Sequence, residues 1–400
     1  MFIEENYKDH SKKLEVKLVR SDDNLLTSWQ ISDFISQLTK HYYKNELLNT
    51  ISLALKHGVS PKNIIIFEDS FEINNSYSNI DGILDFIKPV DVKTFYHLGE
   101  PISMFPNEEI IKINSIFSYF RKTNELLGKY NFSRIKKNNL HSYYTMIKGN
   151  HPQKKIIGEI EALAKEIVRE SSNKNEDVSN FKDSASKLTN DTLNKFLKYE
   201  KEIESLKILM DSIENNELEI FKNPNHQRLA KDYFNDFFTK FENLVRPIVG
   251  IYDNDSQKVQ IFCEGFMNKA KHDPSRFLDL KRISHNSPYE AIFNFGIPII
   301  IPLIAVLNVA LTSRRLETES EIAIKEREEA ENRVIETIKR LELETELEEI
   351  SAAEEIPQEY VRNTIKEIRH QNNLRFQEPI EKYGFVNTKI EVNVLKATSK

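Results

Sequence analysis

The stretch AIFNFGIPIIIPLIAVLNVALTS, residues 291–313, contains no charged side chain, although 30% of the residues in the whole chain are charged. As a helix rising about 1.5 Å per residue it would span roughly 34 Å, enough to cross a hydrocarbon core of about 30 Å. We therefore predict that this segment inserts into a membrane, as a transmembrane helix or a re-entrant hairpin. The site residues of this predicted membrane segment are Ile297, Pro298, Ile301, Pro302, Leu303 and Val306.

Two prolines inside the stretch leave a second interpretation open. An interior proline costs a soluble helix about 3 kcal/mol, whereas membrane helices tolerate proline when neighbouring groups satisfy the freed carbonyls. In either case the helix is expected to break between Ile297 and Pro302. The alternative is a buried strand followed by a buried helix, joined at Pro302, in a large cytoplasmic domain.

Composition sets limits on the class of protein. With 400 residues the chain can form two or three domains. A net charge of −6 gives no broad basic surface, so general nucleic-acid binding is not expected. The only cysteine, Cys263, excludes an intramolecular disulfide and favours a reducing compartment. Ten glycines and 13 prolines favour long helices over a turn-rich all-β fold.

Residues 1–150 are predicted to form a small α+β domain. Residues 13–20, KLEVKLVR, alternate polar and apolar side chains, which is typical of a half-buried strand. A long amphipathic helix is predicted to follow, with Ser28 as its cap. Further strands are expected at residues 63–67 and 92–97, which completes an α+β pattern.

Residues 151–290 are predicted to be a helical region with a β-hairpin at 247–264. The polar stretch 171–186 is expected to be a linker or exposed loop. Beyond it, apolar residues recur at steps of three and four, the spacing of a coiled-coil seam through which copies could assemble. The residues of this oligomer seam are Phe196, Tyr199, Ile203, Leu206, Met210 and Ile213. Core packing inside a helical bundle is the alternative explanation of the same spacing.

Residues 314–400 are predicted to contain a charged helix followed by a helix and a closing strand. The charged helix carries oppositely charged residues four positions apart, so it fits a solvated helix, the outer face of a bundle or a coiled coil. Its closing strand, KIEVNVLK at residues 389–396, mirrors KLEVKLVR at 13–20. This similarity leads to the hypothesis that the two chain ends share one sheet.

Motifs for chemistry are few. The chain contains no G-x-G-x-x-G, Walker loop, H-E-x-x-H or G-x-S-x-G pattern, so no cofactor and no metal are predicted. One weak pattern combines Asp81 with Asp91 and Lys93, a carboxylate followed by D-x-K on a predicted strand. Some nucleases use such an arrangement to hold Mg²⁺ and to place a lysine beside the scissile phosphate. Charges in exposed loops would explain the same residues.

Three hypotheses for function follow. The first is a non-enzymatic bacterial or phage protein at the cell membrane, a sensor or pore-type effector, with antiviral defence as one role. Its expected partners are the lipid bilayer, further copies of itself, and a protein or small molecule bound by the cytoplasmic part. The alternative is a soluble cytoplasmic oligomeric scaffold or interaction protein. The second alternative is a metal-dependent nuclease that uses Asp81, Asp91 and Lys93.

Overall fold

The structure is a computed structural model, and it describes residues 12–20, 26–70, 82–171, 175–262, 278–284, 290–296 and 352–394. The chain divides into two compact units. Unit 1 comprises Met1–Phe2 and Ser60–Asn268, and unit 2 comprises Ile3–Val59 and Lys269–Lys400. Both units combine helices with an antiparallel sheet, which confirms the α+β class. The linear domain bounds at residues 150, 290 and 313 stay predictions.

The described elements are numbered in chain order. The strands are β1 (Lys12–Arg20), β2 (Ile64–Ser70), β3 (Ile83–Asp85), β4 (Pro101–Ser103), β5 (Pro247–Asp253), β6 (Lys258–Ile261), β7 (Asp279–Ser284), β8 (Glu290–Gly296) and β9 (Phe385–Val394). The α-helices are α1 (Ser28–Lys56), α2 (Pro89–His97), α3 (Glu108–Lys129), α4 (Asn139–Lys148), α5 (Gln153–Glu170), α6 (Asn175–Glu214), α7 (Pro224–Tyr233), α8 (Asn235–Asn243) and α9 (Glu359–Lys382). Short 3₁₀ turns lie at Pro61–Asn63 and Leu218–Lys222.

The sheet of unit 2 joins the two ends of the chain. Its strand order is β7-β8-β1-β9, and each neighbouring pair is antiparallel. Strand β1 pairs with β9 along its whole length, so that Val16 lies opposite Ile390. The hypothesis that the similar strands at the two ends share a sheet is therefore confirmed.

Strand β8 corrects the membrane prediction. Residues 291–296, the start of the predicted membrane segment, lie in this strand between β1 and β7, and Ala291 and Phe293 are buried. Side chains alternate between the two faces of a strand, so Ala291 and Phe293 lie on the buried face and Ile292 on the other, where it is half-buried. Because neither face of this strand carries a charged residue after Glu290, its sequence has the same uncharged pattern as a membrane segment. Within the described ranges, no helix is long and apolar enough to cross a membrane. Residues 297–313, with all six predicted membrane-segment residues, lie outside the described residues.

Helix α1 begins one residue earlier than predicted and packs on this sheet. Its N-cap is Thr27 instead of Ser28, because Thr27 and Gln30 form a reciprocal capping box. One turn further, Phe34 stacks on Phe385 with ring centroids 4.5 Å apart. The aromatic contact anchors α1 to the edge strand β9.

The sheet of unit 1 has the order β3-β6-β5-β2-β4, and its neighbouring strands are also antiparallel. Its central hairpin, β5 and β6, confirms the hairpin predicted at 247–264. The strands approach closely at Gly250, where an added Cβ would lie 2.5 Å from the Gln260 carbonyl oxygen. A residue larger than glycine would therefore push the hairpin apart.

Both edges of this sheet are short and partly occupied by the chain itself. At the β3 edge the Asp91 carboxylate accepts a hydrogen bond from the Asp85 backbone N–H at 2.9 Å. At the β4 edge Pro101 has no N–H, and its carbonyl accepts from the Asn114 side chain at 2.9 Å. Such contacts disfavour the addition of a foreign strand.

Residues 92–97, predicted as a strand, belong to helix α2, so that prediction was wrong. Pro89 occupies the first turn, where a proline is favourable. Val92, Phe95 and Tyr96 then follow helical spacing, and all three are buried. Periodicity alone does not distinguish a short apolar run in a helix from one in a strand.

The predicted linker at 171–186 was also wrong, because α6 already begins at Asn175. Phe181 and Ala185 are buried on one side of this helix. The Phe181 ring packs edge-on against Phe132, with centroids 5.8 Å apart. Few apolar residues mark this stretch as a helix, and α3 and α5 contact the helix that they belong to.

Candidate functional site

A cleft of about 690 Å³ lies within unit 1, and we call it the α6 cleft. One wall is the C-terminal half of α6. The other walls are the start of α3, the end of α4 and the turn between β5 and β6. The volume lies within the range of ligand sites, about 300–1,000 Å³.

The apolar wall comes from the predicted oligomer seam. Four of its six residues line the cleft: Tyr199, Ile203, Leu206 and Met210. The other two, Phe196 and Ile213, are half-buried and fully buried respectively. Their spacing of three and four places the six on one side of α6, and this side faces the rest of unit 1. The described structure thus uses the seam within one chain, as in the bundle alternative.

The opposite side of α6 carries two exposed apolar residues. Leu197 and Ile208 are each 49% exposed. They lie eleven positions apart, a separation that brings them to nearly the same direction at about 100° per residue. Ile208 therefore offers a matched control for changes on the cleft side of the same helix.

The polar wall is organised around Glu109 in the first turn of α3. The Tyr252 hydroxyl donates to Glu109 Oε1, and Lys148 Nζ donates to Glu109 Oε2 at 3.1 Å. Lys148 Nζ also donates to the backbone oxygen and to Oδ1 of Asn254, at 3.1 and 2.7 Å. Because Lys148 has three N–H groups, these contacts use them all. They hold the β5–β6 turn, α3 and α4 in one arrangement.

Three buried tyrosines at or next to the cleft remain protonated near neutral pH. Burial raises the pKa of Tyr252 and of Tyr144 well above the ordinary value of 10, and their hydroxyls lie 3.3 Å apart. Burial, with the charge of Glu108, raises the pKa of Tyr199 to about 12. A phenol with a raised pKa is a hydrogen-bond donor and not an activated nucleophile.

The rim at the start of α3 is fixed by Asn107. Its side-chain oxygen accepts from the backbone N–H groups of Glu109 and Ile110 at 3.0 and 3.2 Å. Its amide nitrogen donates to the Lys62 carbonyl at 3.1 Å. Asn107 thus caps α3 and joins it to the preceding 3₁₀ turn.

The cleft carries more negative than positive charge. Counting the described residues alone, six carboxylates and four lysine ammonium groups line it, a formal charge of −2. The carboxylates belong to Glu108, Glu109, Asp211, Glu214, Asp253 and Asp255, and the lysines are Lys62, Lys112, Lys148 and Lys207. Ion pairs already join Lys112 to Glu108 at 2.7 Å and Lys148 to Glu109 at 3.1 Å.

Two of the three residues of the nuclease hypothesis, Asp91 and Lys93, do not lie on the predicted strand. Asp91 and Lys93 lie on helix α2, where side chains two positions apart point about 200° away from each other. Asp91 instead binds the backbone of Asp85. Asp81 lies outside the described residues. Among the residues that are described, no group of three or more His, Cys, Asp or Glu side chains is arranged to hold a metal.

Sequence reasoning missed the polar wall. Lys148 meets Glu109 from 39 positions away and Asn254 from 106 positions away, and no local pattern connects them. The sequence offers one signal here, the pair Asp253 and Asp255, but aspartate is favoured at a turn between strands for turn chemistry alone. Two hydrogen bonds confirm that chemistry, since Asp253 accepts from the Asp255 N–H and from Ser256.

The α6 cleft sets an apolar stripe opposite fixed hydrogen-bonding groups. Among the described residues, the tyrosine that lines it is Tyr199, whose raised pKa keeps the phenol protonated. Comparison of the chain with protein-family models, curated proteins and solved structures finds no match in any of the three.

Proposed function

We propose that this chain is a non-enzymatic interaction protein that binds a segment of a partner in the α6 cleft. One observation carries the proposal: the apolar stripe of α6 faces, across a cavity of about 690 Å³, a polar wall held by Glu109 and Lys148. Interaction sites combine a central apolar contact with a polar surround in this way.

The fixed polar wall supports binding over chemistry. Lys148 is fully engaged by Glu109 and Asn254, so a partner meets groups whose positions are already set. A site that is ordered before binding loses less conformational entropy when it binds. The wall therefore favours affinity for one shape of partner.

Two further expectations stay predictions. Assembly of several copies was expected from the seam, of which four residues line the cleft, Ile213 is buried and Phe196 is half-buried. An oligomeric scaffold would therefore need another surface. A cytoplasmic location rests on the single cysteine, Cys263, which favours a reducing compartment.

A selection experiment tests the proposal. A library of short random peptides displayed on phage is selected on the full chain, on Met210→Arg and on Ile208→Arg. Met210 lines the cleft, whereas Ile208 is exposed and does not line it. Circular dichroism verifies that both variants fold.

We expect peptide families that are enriched on the wild type and on Ile208→Arg, and at least about tenfold less on Met210→Arg, because arginine fills the apolar part of the cleft. If no enriched family distinguishes Met210→Arg from Ile208→Arg, the cleft does not bind a partner segment and the proposal fails.

A further inference from the structure

The charge of the α6 cleft is concentrated on two facing elements. Asp211 and Glu214 lie at the C-terminal end of α6, and Asp253 and Asp255 lie in the β5–β6 turn. Of these four, Asp253 already has interaction partners, among them the Ser256 hydroxyl, and the two cleft carboxylates at the start of α3 form ion pairs with lysines. Since two separate elements contribute the acids, the negative potential lies across the cleft as well as along one helix.

The end of α6 strengthens this potential. The last turn of a helix exposes backbone carbonyls and carries a partial negative charge, which a nearby cation stabilises. The last turn of α6 contains no basic residue and instead carries Asp211 and Glu214. Lys207, one turn earlier, is the cleft lysine on this helix, and it offsets only part of the negative charge.

An apolar surface adjoins the acids. Ile203 and Met210 line the cleft and are half-buried, so part of each side chain is accessible. Methionine adapts its shape to different apolar partners. A segment that fits must therefore carry apolar and cationic side chains next to each other.

We infer that the occupant of the α6 cleft is a cationic amphipathic peptide segment of a partner protein. Its Lys or Arg side chains lie between the last turn of α6 and the β5–β6 turn, and its apolar side chains pack on Ile203 and Met210. This inference rests on the proposed function and adds the chemical class of the partner. Charge complementarity excludes acidic segments because like charges across an interface repel.

Two labelled peptides test the class of partner. They share one length and one leucine pattern, and the polar positions are lysine in one and glutamate in the other. Fluorescence anisotropy measures their binding to the full chain. We expect the lysine peptide to bind at least about tenfold more tightly than the glutamate peptide.

A pair of charge-reversal variants locates the binding. Asp211→Lys with Glu214→Lys changes the cleft, and Glu200→Lys with Glu204→Lys makes the same change in charge at exposed positions of α6 outside the cleft. The cleft variant is expected to bind the lysine peptide at least about tenfold more weakly, whereas the control variant stays within about twofold of the wild type.

Each other result overturns the inference. If the glutamate peptide binds the wild type more tightly than the lysine peptide, the partner is not cationic. If both double variants lose the same affinity for the lysine peptide, the attraction is diffuse and is not located in the cleft. Failure of the lysine peptide to bind also rejects it. None of these results decides the proposed function, which depends on the comparison of Met210→Arg with Ile208→Arg.

Discussion

Two helix faces of this protein are buried by opposite means. In unit 1, α6 turns the apolar residues Tyr199, Leu206 and Ile213 inward. In unit 2, α1 and α9 meet through side-chain amides and a histidine that are buried as well. The first face uses shape and apolar area, and the second adds a row of hydrogen bonds between buried polar side chains to the apolar residues that both helices also bury.

The contact between α1 and α9 is a ladder of hydrogen bonds around Asn372. Its Nδ2 donates to the His41 carbonyl at 2.8 Å and to Asn45 Oδ1 at 2.7 Å. These two bonds use both amide protons of Asn372. Its Oδ1 is an amide oxygen and can only accept, so His41 Nδ1 donates to it at 2.7 Å. Asn45 Nδ2 donates onward to Asn373 Oδ1 at 2.9 Å.

The difference between the apolar face of α6 and the hydrogen-bonded contact of α1 with α9 indicates which of them suits binding and which suits alignment. The hydrophobic effect has no direction, so an apolar helix face keeps most of its stabilisation when the helix shifts slightly against its neighbours. The part of that face that is not buried can bind a ligand, as we propose for the α6 cleft. A buried ladder allows a single register, because a shift leaves donors and acceptors without partners at about 1–3 kcal/mol each. The face of α6 therefore suits binding, and the ladder suits alignment of α1 with α9.

The largest expected effect is on the apolar face. Leu206→Ala removes a side chain that is 1% exposed and should lower the free energy of unfolding by about 2–5 kcal/mol. Leu197→Ala, on the exposed side of the same helix, should cost less than about 1 kcal/mol. Hydrogen exchange of α6 peptides measures both changes. If the two variants lose the same free energy of unfolding, the apolar residues on the cleft side of α6 do not stabilise unit 1 more than its exposed residues do.

The second effect is a dependence of unit 2 on pH. Burial lowers the pKa of His41 from 6.5 to about 4, against the opposing effect of its hydrogen bond to Asn372. The positive charges that add to the lowering are Lys40, Lys44 and Arg375. Between pH 6.5 and about 4 the unfolded chain therefore binds the extra proton while the folded chain does not, so stability falls as the pH falls.

The loss over this pH range should reach at most about 3 kcal/mol. Hydrogen exchange of α1 and α9 peptides at several pH values measures it, with His41→Gln as the variant that cannot titrate. A constant difference between wild type and His41→Gln across this range would show that His41 titrates normally in the folded chain.

The smallest effect sharpens the contrast through coupling. Asn45→Ala and Asn372→Ala break the same hydrogen bond, so their combined cost should differ from the sum of the single costs by about 1 kcal/mol. Urea unfolding of the two single variants and the double variant gives this coupling energy. Additive costs would mean that the ladder does not act as a unit.

Local pattern predicted a good part of the fold. The alternation in KLEVKLVR and KIEVNVLK predicted β1 and β9 and led to the hypothesis of their pairing. The spacing from Phe196 to Ile213 predicted an apolar side of a helix, and the turn-rich stretch before β6 predicted a hairpin. These features depend on neighbours a few positions apart, which a sequence displays directly.

Three local patterns were ambiguous, and their surroundings decided them. The uncharged run from Ala291 became a strand between two others for residues 291–296. Residues 92–97 became a helix, and Phe181 turned a polar stretch into the start of α6. In each case an element distant in the sequence covers the apolar side chains of the segment. The periodicity of the segment alone was therefore not enough to predict its secondary structure.

By itself the sequence determined which residues share a side of a helix or strand, since that follows from the backbone period. Only the tertiary structure decided which residues each side of a helix or strand contacts. It placed the α6 stripe against Glu109 and Lys148, which lie 39 positions apart, and it paired His41 with Asn372 over 331 positions. Such contacts arise from the joint burial of whole elements, in which each polar group must find its partner wherever the chain supplies one.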